Sequence, residues 1–159
     1  MIQSFKSLCS ELSNLIEVWE NRLTELPPAL IAEKQNRQQR SIRQIVGHMV
    51  DSATNNTHRI IHMQYQDSPV NYPDYANLGN NDRWIAIQNY QDEDWALLVS
   101  LWAASNRHIV HVIGQVDHSH LGKIWISATS EEVNLEEMIL DYPRHFKLHL
   151  GEIDDLINQ

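Results

Sequence analysis

Cysteine is almost missing from this chain of 159 residues, where Cys9 stands alone. A single thiol excludes an intramolecular disulfide framework and a cysteine-built zinc knuckle, and it suits a reducing, cytoplasmic setting. Inside the first expected helix Cys9 reads as packing rather than as a nucleophile. Cationic side chains are also few, 12 Lys and Arg against 21 Asp and Glu. The resulting charge of −9 argues against a nucleic-acid partner, because phosphate binding needs clustered cations and only Arg37, Arg40 and Arg43 are grouped. No stretch approaches the roughly 18 apolar residues of a membrane span. Nor does the N-terminus offer a charged region, an apolar block and a cleavage site, so a soluble, non-exported protein with no membrane partner is expected. Glycine and proline number five each, and the apolar residues recur at helical rather than alternating spacing, which points to an all-α protein. The length suits one domain, residues 1–159, with a core of its own.

Four long amphipathic segments are present. The first runs from about Gln3 to Glu25, with Phe5, Leu8, Leu12, Leu15, Ile16, Trp19 and Leu23 on one stripe, and Pro27-Pro28 stops it. The second opens at Ser41, where Ser41-Ile42-Arg43-Gln44 has the form of a capping box, and reaches about Gln64. The third spans about Asp92 to Val116. The fourth starts at Asn134, an N-cap followed by Glu136 and Glu137, and continues to Leu156 or Ile157. Four helices of comparable length describe a four-helix bundle. The connection from Gln66 to Gln91 is long enough to travel the length of such a bundle, which permits parallel second and third helices and an antiparallel fourth. With Tyr72, Tyr75, Trp84 and Tyr90 it is expected to hold a short helix and to roof one end.

Nine histidines are a surplus for this length. His145 and His149 stand four apart and leave the same side of the fourth helix, and His48 on the second helix can complete a three-nitrogen face of the catalytic metal type. At ~1.5 Å per residue, His48 lies about 10 Å from the start of its helix, and His149 and His145 lie roughly 13 and 20 Å from the end of theirs, heights that match in an antiparallel pair. His48 falls beside its stripe, next to Ser52 and Arg59. Spacing alone fits interfacial histidines as well as it fits a metal site. Of the other pairs, His58 and His62 point from the polar side of the second helix, His108 and His111 are expected to be one exposed and one packed, and His118 and His120 lie in a loop.

Gln39-Arg40-Ser41-Ile42-Arg43-Gln44-Ile45-Val46-Gly47-His48-Met49-Val50-Asp51-Ser52, with Arg59 further on, resembles the second-helix signature of the DinB/YfiT-like four-helix proteins, and Tyr142-Pro143-Arg144-His145-Phe146-Lys147-Leu148-His149 resembles their terminal His-x-x-x-His. The resemblance spans nearly the whole chain. It implies an up-down-down-up bundle, a homodimer, and a divalent metal held by His48, His145 and His149. Relatives hydrolyse substrates with a metal or transfer low-molecular-weight thiols to electrophiles. Arg40 stands where the family often has tryptophan, and Phe146 where it often has an acidic residue that could orient a ligand or act as a base. Pro143 interrupts the fourth helix two residues before His145 and is expected to kink it.

The leading expectation is therefore a metal-dependent hydrolase or thiol S-transferase acting on a small molecule. Three neutral imidazoles leave the charge of a divalent ion intact, so a bound water or thiol becomes a nucleophile near neutral pH. Zinc or nickel is the expected ion, although imidazole nitrogen also suits copper and iron. Asp51 and Glu152, each within a turn of a ligand, are candidates to orient the histidines, with solvated surface charges as the plainer reading. Arg59 is a candidate for an anionic substrate group. The alternative is a non-catalytic bundle that binds a small molecule or partner; a third reading has Trp95 and Trp102 packing one subunit on another.

Overall fold

The long central helices begin where side chains take over their first free N–H groups. Ser41 Oγ accepts from Gln44 N–H at 3.2 Å while Gln44 Oε1 accepts from Ser41 N–H at 2.9 Å, the capping box expected from the sequence. Asn134 and Glu137 form a second such box, at 2.8 and 3.1 Å. The computed structural model describes residues 3–159. Its helices are α1 Gln3–Thr24, α2 Pro28–Glu33, α3 Ile42–Tyr65, α4 Asn80–Gln88, α5 Trp95–Gly114 and α6 Leu135–Ile157. α1, α3, α5 and α6 make the bundle. No helix among the described residues is long and apolar enough to cross a membrane.

Contacts along the helices fix their directions. Trp95 Nε1–H, at the start of α5, donates to the Leu23 carbonyl at the end of α1 at 2.9 Å, and Cys9 near the start of α1 donates to the Val110 carbonyl near the end of α5. These two are antiparallel. α3 and α5 share an end, since Arg43 donates to the Glu93 carbonyl just before α5, and further along Thr57 and His58 line one surface pocket with Ser105 and His108. With the two helices packed along their length, they are parallel. α6 runs against α3, with Ser52 beside His145 one turn beyond His48 beside His149. The order is the up-down-down-up bundle, and the parallel α3 and α5 require the long connection between them.

Buried apolar side chains form one continuous cluster running from Phe5 to Leu156. α3 is its axis, buried almost all round from Ile45 to Ala53. Its only glycine has a structural reason: a Cβ on Gly47 would overlap the Tyr90 ring.

Several expectations need correction. Pro28 does not simply end the first segment; it takes the N1 position of α2, where a missing N–H is tolerated. The all-helical reading misses an antiparallel hairpin, β1 Ile124–Ile126 and β2 Glu132–Asn134, with Trp125 opposite Val133. Strands of three residues carry too few alternations to be recognised by periodicity. α6 continues through buried Pro143 without interruption. His108 and His111 are both exposed. Trp102 is fully buried and stacked on Phe146, ring centroids 5.8 Å apart, and Trp95 is half-buried with its N–H engaged. Trp102 is therefore spent inside the protomer.

Candidate metal centre

Antiparallel packing of α3 and α6 brings His48, His145 and His149 together, with one donor atom from each within 4.8 Å of the others. The ring centroid of His48 is 4.6 Å from that of His149 and 5.6 Å from that of His145. No fourth His, Cys, Asp or Glu joins the cluster among the described residues.

The proton positions follow from the partners. Glu152 Oε2 lies 2.7 Å from His149 Nδ1; a carboxylate only accepts, so Nδ1 carries the proton and Nε2 presents its lone pair. That nitrogen faces His145 Nε2 at 3.0 Å. The other nitrogen of His145 is 3.5 Å from Ser52 Oγ. Two imidazole lone pairs at this range repel unless a proton or a cation lies between them. Around a tetrahedral ion with metal–nitrogen bonds of about 2.0–2.1 Å, neighbouring nitrogens are about 3.3 Å apart, so the spacing of this pair already suits one. His48 Nδ1 is buried without any hydrogen-bond partner, which is costly for a neutral ring in an otherwise satisfied interior. Three imidazoles with donor atoms this close, one of them with a buried ring nitrogen that has no partner, are a donor set that a divalent ion would satisfy, so the residues present fit such an ion.

Electrostatics keep His48 and His145 neutral. Burial, then His149 and His145, then Arg40, push the His48 pKa down to about 2. Burial, then His149 and Arg144, lower that of His145 to about 4, against the opposing pull of Asp141 and Glu152. Neutral imidazole is the metal-ligating form. Arg40, which stands where the DinB/YfiT-like proteins often have tryptophan, is buried and pairs with Asp82 at 2.7 Å.

The three remaining candidates separate. Glu152 touches His149 directly. Asp51 does not bond a histidine: it accepts from Tyr90 O–H at 2.6 Å and from Gln88 Nε2 at 2.8 Å, and its other oxygen is buried and unpartnered. Burial raises its pKa despite both hydrogen bonds. Arg59 lies about two turns along α3 from Ser52 and faces a cavity instead of the trio. Phe146 points into the core against Trp102; the carboxylate that orients a ligand comes from Glu152.

The cavity, about 370 Å³, meets the trio at His145 and is bounded further out by Ser52, Asn56, Arg59, Tyr75 and Trp125. Tyr75 also packs beside His48, ring centroids 6.5 Å apart, and burial pushes its pKa up to about 12, so its phenol stays a donor. The crossover delivers this residue, and Trp84 packs on it at 5.9 Å. The expectation of a roofing segment with a short helix therefore corresponds to Tyr75, α4 and Tyr90. The role of Trp125 was not legible, because it depends on the hairpin turning its ring under Arg59.

No family model and no curated protein matches the sequence. The fold does have a counterpart: YfiT from Bacillus subtilis, described as a probable metal-dependent hydrolase with an unusual four-helix bundle topology, superposes with a TM-score of 0.82 at 14% identity, over 98% of this chain and 87% of that one. This chain is similar to YfiT in fold, the DinB/YfiT-like bundle that the sequence resemblance implied.

Proposed function

We propose that this protein is a metal-dependent hydrolase of small molecules, with His48, His145 and His149 as the ligands of a divalent ion. The observation that carries this reading is the convergence of three imidazoles, two on one helix and one on its antiparallel neighbour, beside a cavity. The description of YfiT as a probable metal-dependent hydrolase supports it by likeness of fold. A divalent ion on three neutral nitrogens supplies Lewis acidity and a lowered pKa for water at its open position. Glu152 holds His149 in the tautomer that points Nε2 inward, Ser52 steadies His145, and the crossover covers the site with Tyr75. A ligand half-buried at the cavity wall, His145, gives substrate its approach. Thiol transfer would use the same site, but no residue here favours a thiol over water.

The test is elemental analysis of the purified protein combined with turnover of ester and amide substrates before and after chelation. About one divalent ion per chain and chelator-sensitive hydrolysis are expected. A full complement of metal with no hydrolysis would favour the non-catalytic binding module. Glu152→Gln offers a finer check. Loss of the charged acceptor is expected to weaken metal affinity by about 10–100-fold, read by competition with a chromogenic chelator, with the far-UV circular dichroism unchanged. Unaltered affinity would reduce the Glu152 contact to a surface ion pair.

A further inference from the structure

The guanidinium groups of Arg40, Arg43 and Arg59 are drawn into the fold, each with a buried Nε that has no partner, and Arg43 donates to the Glu93 carbonyl. Arg40 has its carboxylate, Asp82, at 2.7 Å. Arg59 has none within 4.0 Å among the described residues. Its one hydrogen bond there is from Nη2 to Asn56 Oδ1 at 2.7 Å, and its Nε is buried with no partner. The group is nonetheless held firmly. Its central carbon sits 4.0 Å above the Trp125 ring, and Trp125 is anchored in turn by its N–H to the Tyr72 carbonyl at 2.8 Å. Burial lowers the Arg59 pKa from the ordinary guanidinium value, yet arginine stays charged at any working pH. A fixed, desolvated, planar cation with unmatched donors on a cavity wall is suited to a carboxylate arriving from outside.

The rest of the lining narrows the choice. Tyr75, Trp125, Met138 and Tyr142 supply apolar surface, while Asp74, Glu131, Glu137 and Asp141 also line the cavity. Three of these carboxylates are engaged: Asp74 accepts from the backbone of Ala76, Asn77 and Ala128, Glu137 caps α6, and Asp141 pairs with Arg144 at 2.5 Å. Against the opposing burial, hydrogen bonds lower the pKa of Asp74, and the Arg144 contact lowers that of Asp141. One guanidinium among four carboxylates has room for a single anionic group and opposes a second.

We propose that the cavity binds a small monocarboxylate with an apolar body, its carboxylate on Arg59 and its body along Trp125 and Tyr75, reaching toward His145. Ser52, level with His145, and Arg59 are seven residues apart, about 10 Å along the helix. A molecule of N-acyl amino acid size spans that distance. This substrate class deepens the hydrolase reading and rests on it for its chemistry, but the binding site stands without the metal.

The experiment is calorimetric titration of N-acetyl-phenylalanine, N-acetyl-phenylalaninamide and the dianion N-acetyl-aspartate into metal-free protein and into Arg59→Met. On the metal-free wild type the acid is expected to bind at least about tenfold more tightly than the amide, the worth of one charge-assisted contact. N-acetyl-aspartate should bind more weakly than the acid, and Arg59→Met should erase the difference between acid and amide. Equal binding of acid and amide, or no saturable binding of either, overturns the proposal without reference to any variant. If acid selectivity is seen only after metal loading and survives in Arg59→Met, the carboxylate is being held by the ion, and the assignment to Arg59 fails while the metal site stands. Selectivity in a protein that takes up no metal would have the converse meaning: the cavity assignment holds and the hydrolase reading falls.

Discussion

Replacing His149 by Ala is expected to take bound divalent metal from about one equivalent per chain to near zero. His149 is buried and the best oriented of the three, because the 2.7 Å contact with Glu152 fixes its tautomer. Its removal leaves His48 and His145 on different helices, two ligands where a catalytic site of this type uses three. His48→Ala should do the same from the other helix. The control is His108→Ala, an exposed position on α5 outside the cluster, which should retain full metal. Elemental analysis after gel filtration makes the measurement. Undiminished metal in both His149→Ala and His48→Ala would remove the trio as a metal site, whatever activity the protein shows.

Gly47→Ala should destabilise the fold strongly, against the usual expectation for a helix interior. Propensity alone favours alanine there by about 1 kcal/mol. The added methyl, however, would overlap three atoms of the Tyr90 ring, and forcing a methyl into a packed core typically costs about 1–3 kcal/mol. Displacing Tyr90 also removes its 2.6 Å hydrogen bond to buried Asp51, which strips a desolvated carboxylate of a donor at about 1–3 kcal/mol more. The sum, about 3 kcal/mol net, should appear as a lowered urea midpoint. In a Tyr90→Ala background the clash is gone, so Gly47→Ala should become neutral or slightly stabilising; the double-mutant cycle isolates the Tyr90 contact. A destabilisation that persists without the Tyr90 side chain would locate the cause elsewhere in α3.

Helices, caps and the histidine pair are local matters, and they were legible for that reason. The stripe from Phe5 to Leu23, the Ser41 and Asn134 caps and the four-residue step from His145 to His149 all depend on residues within a turn or two of one another. The match in height between His48 and the pair followed from the length of the crossover, which permitted an antiparallel α6. Glu152 lies within a turn of His149 and Asp51 within a turn of His48, a spacing that does not distinguish either from a solvated charge. Only packing separates them: Glu152 turns toward His149, whereas Asp51 is claimed by Tyr90 and Gln88 from a segment some 40 residues away. Arg59 belongs to the same class, because its meaning depends on the absence of a carboxylate and on a Trp125 ring delivered by a hairpin too short to announce itself.

The sequence by itself therefore determined the helical class, the main boundaries and the candidate ligands, since periodicity and capping are properties of consecutive residues. The tertiary structure decided which nitrogens face one another, which carboxylate orients them and what lines the approach to His145. Those facts depend on side chains brought together from α3, α6, the crossover and the hairpin, and pairings across such distances along the chain leave no local pattern to read.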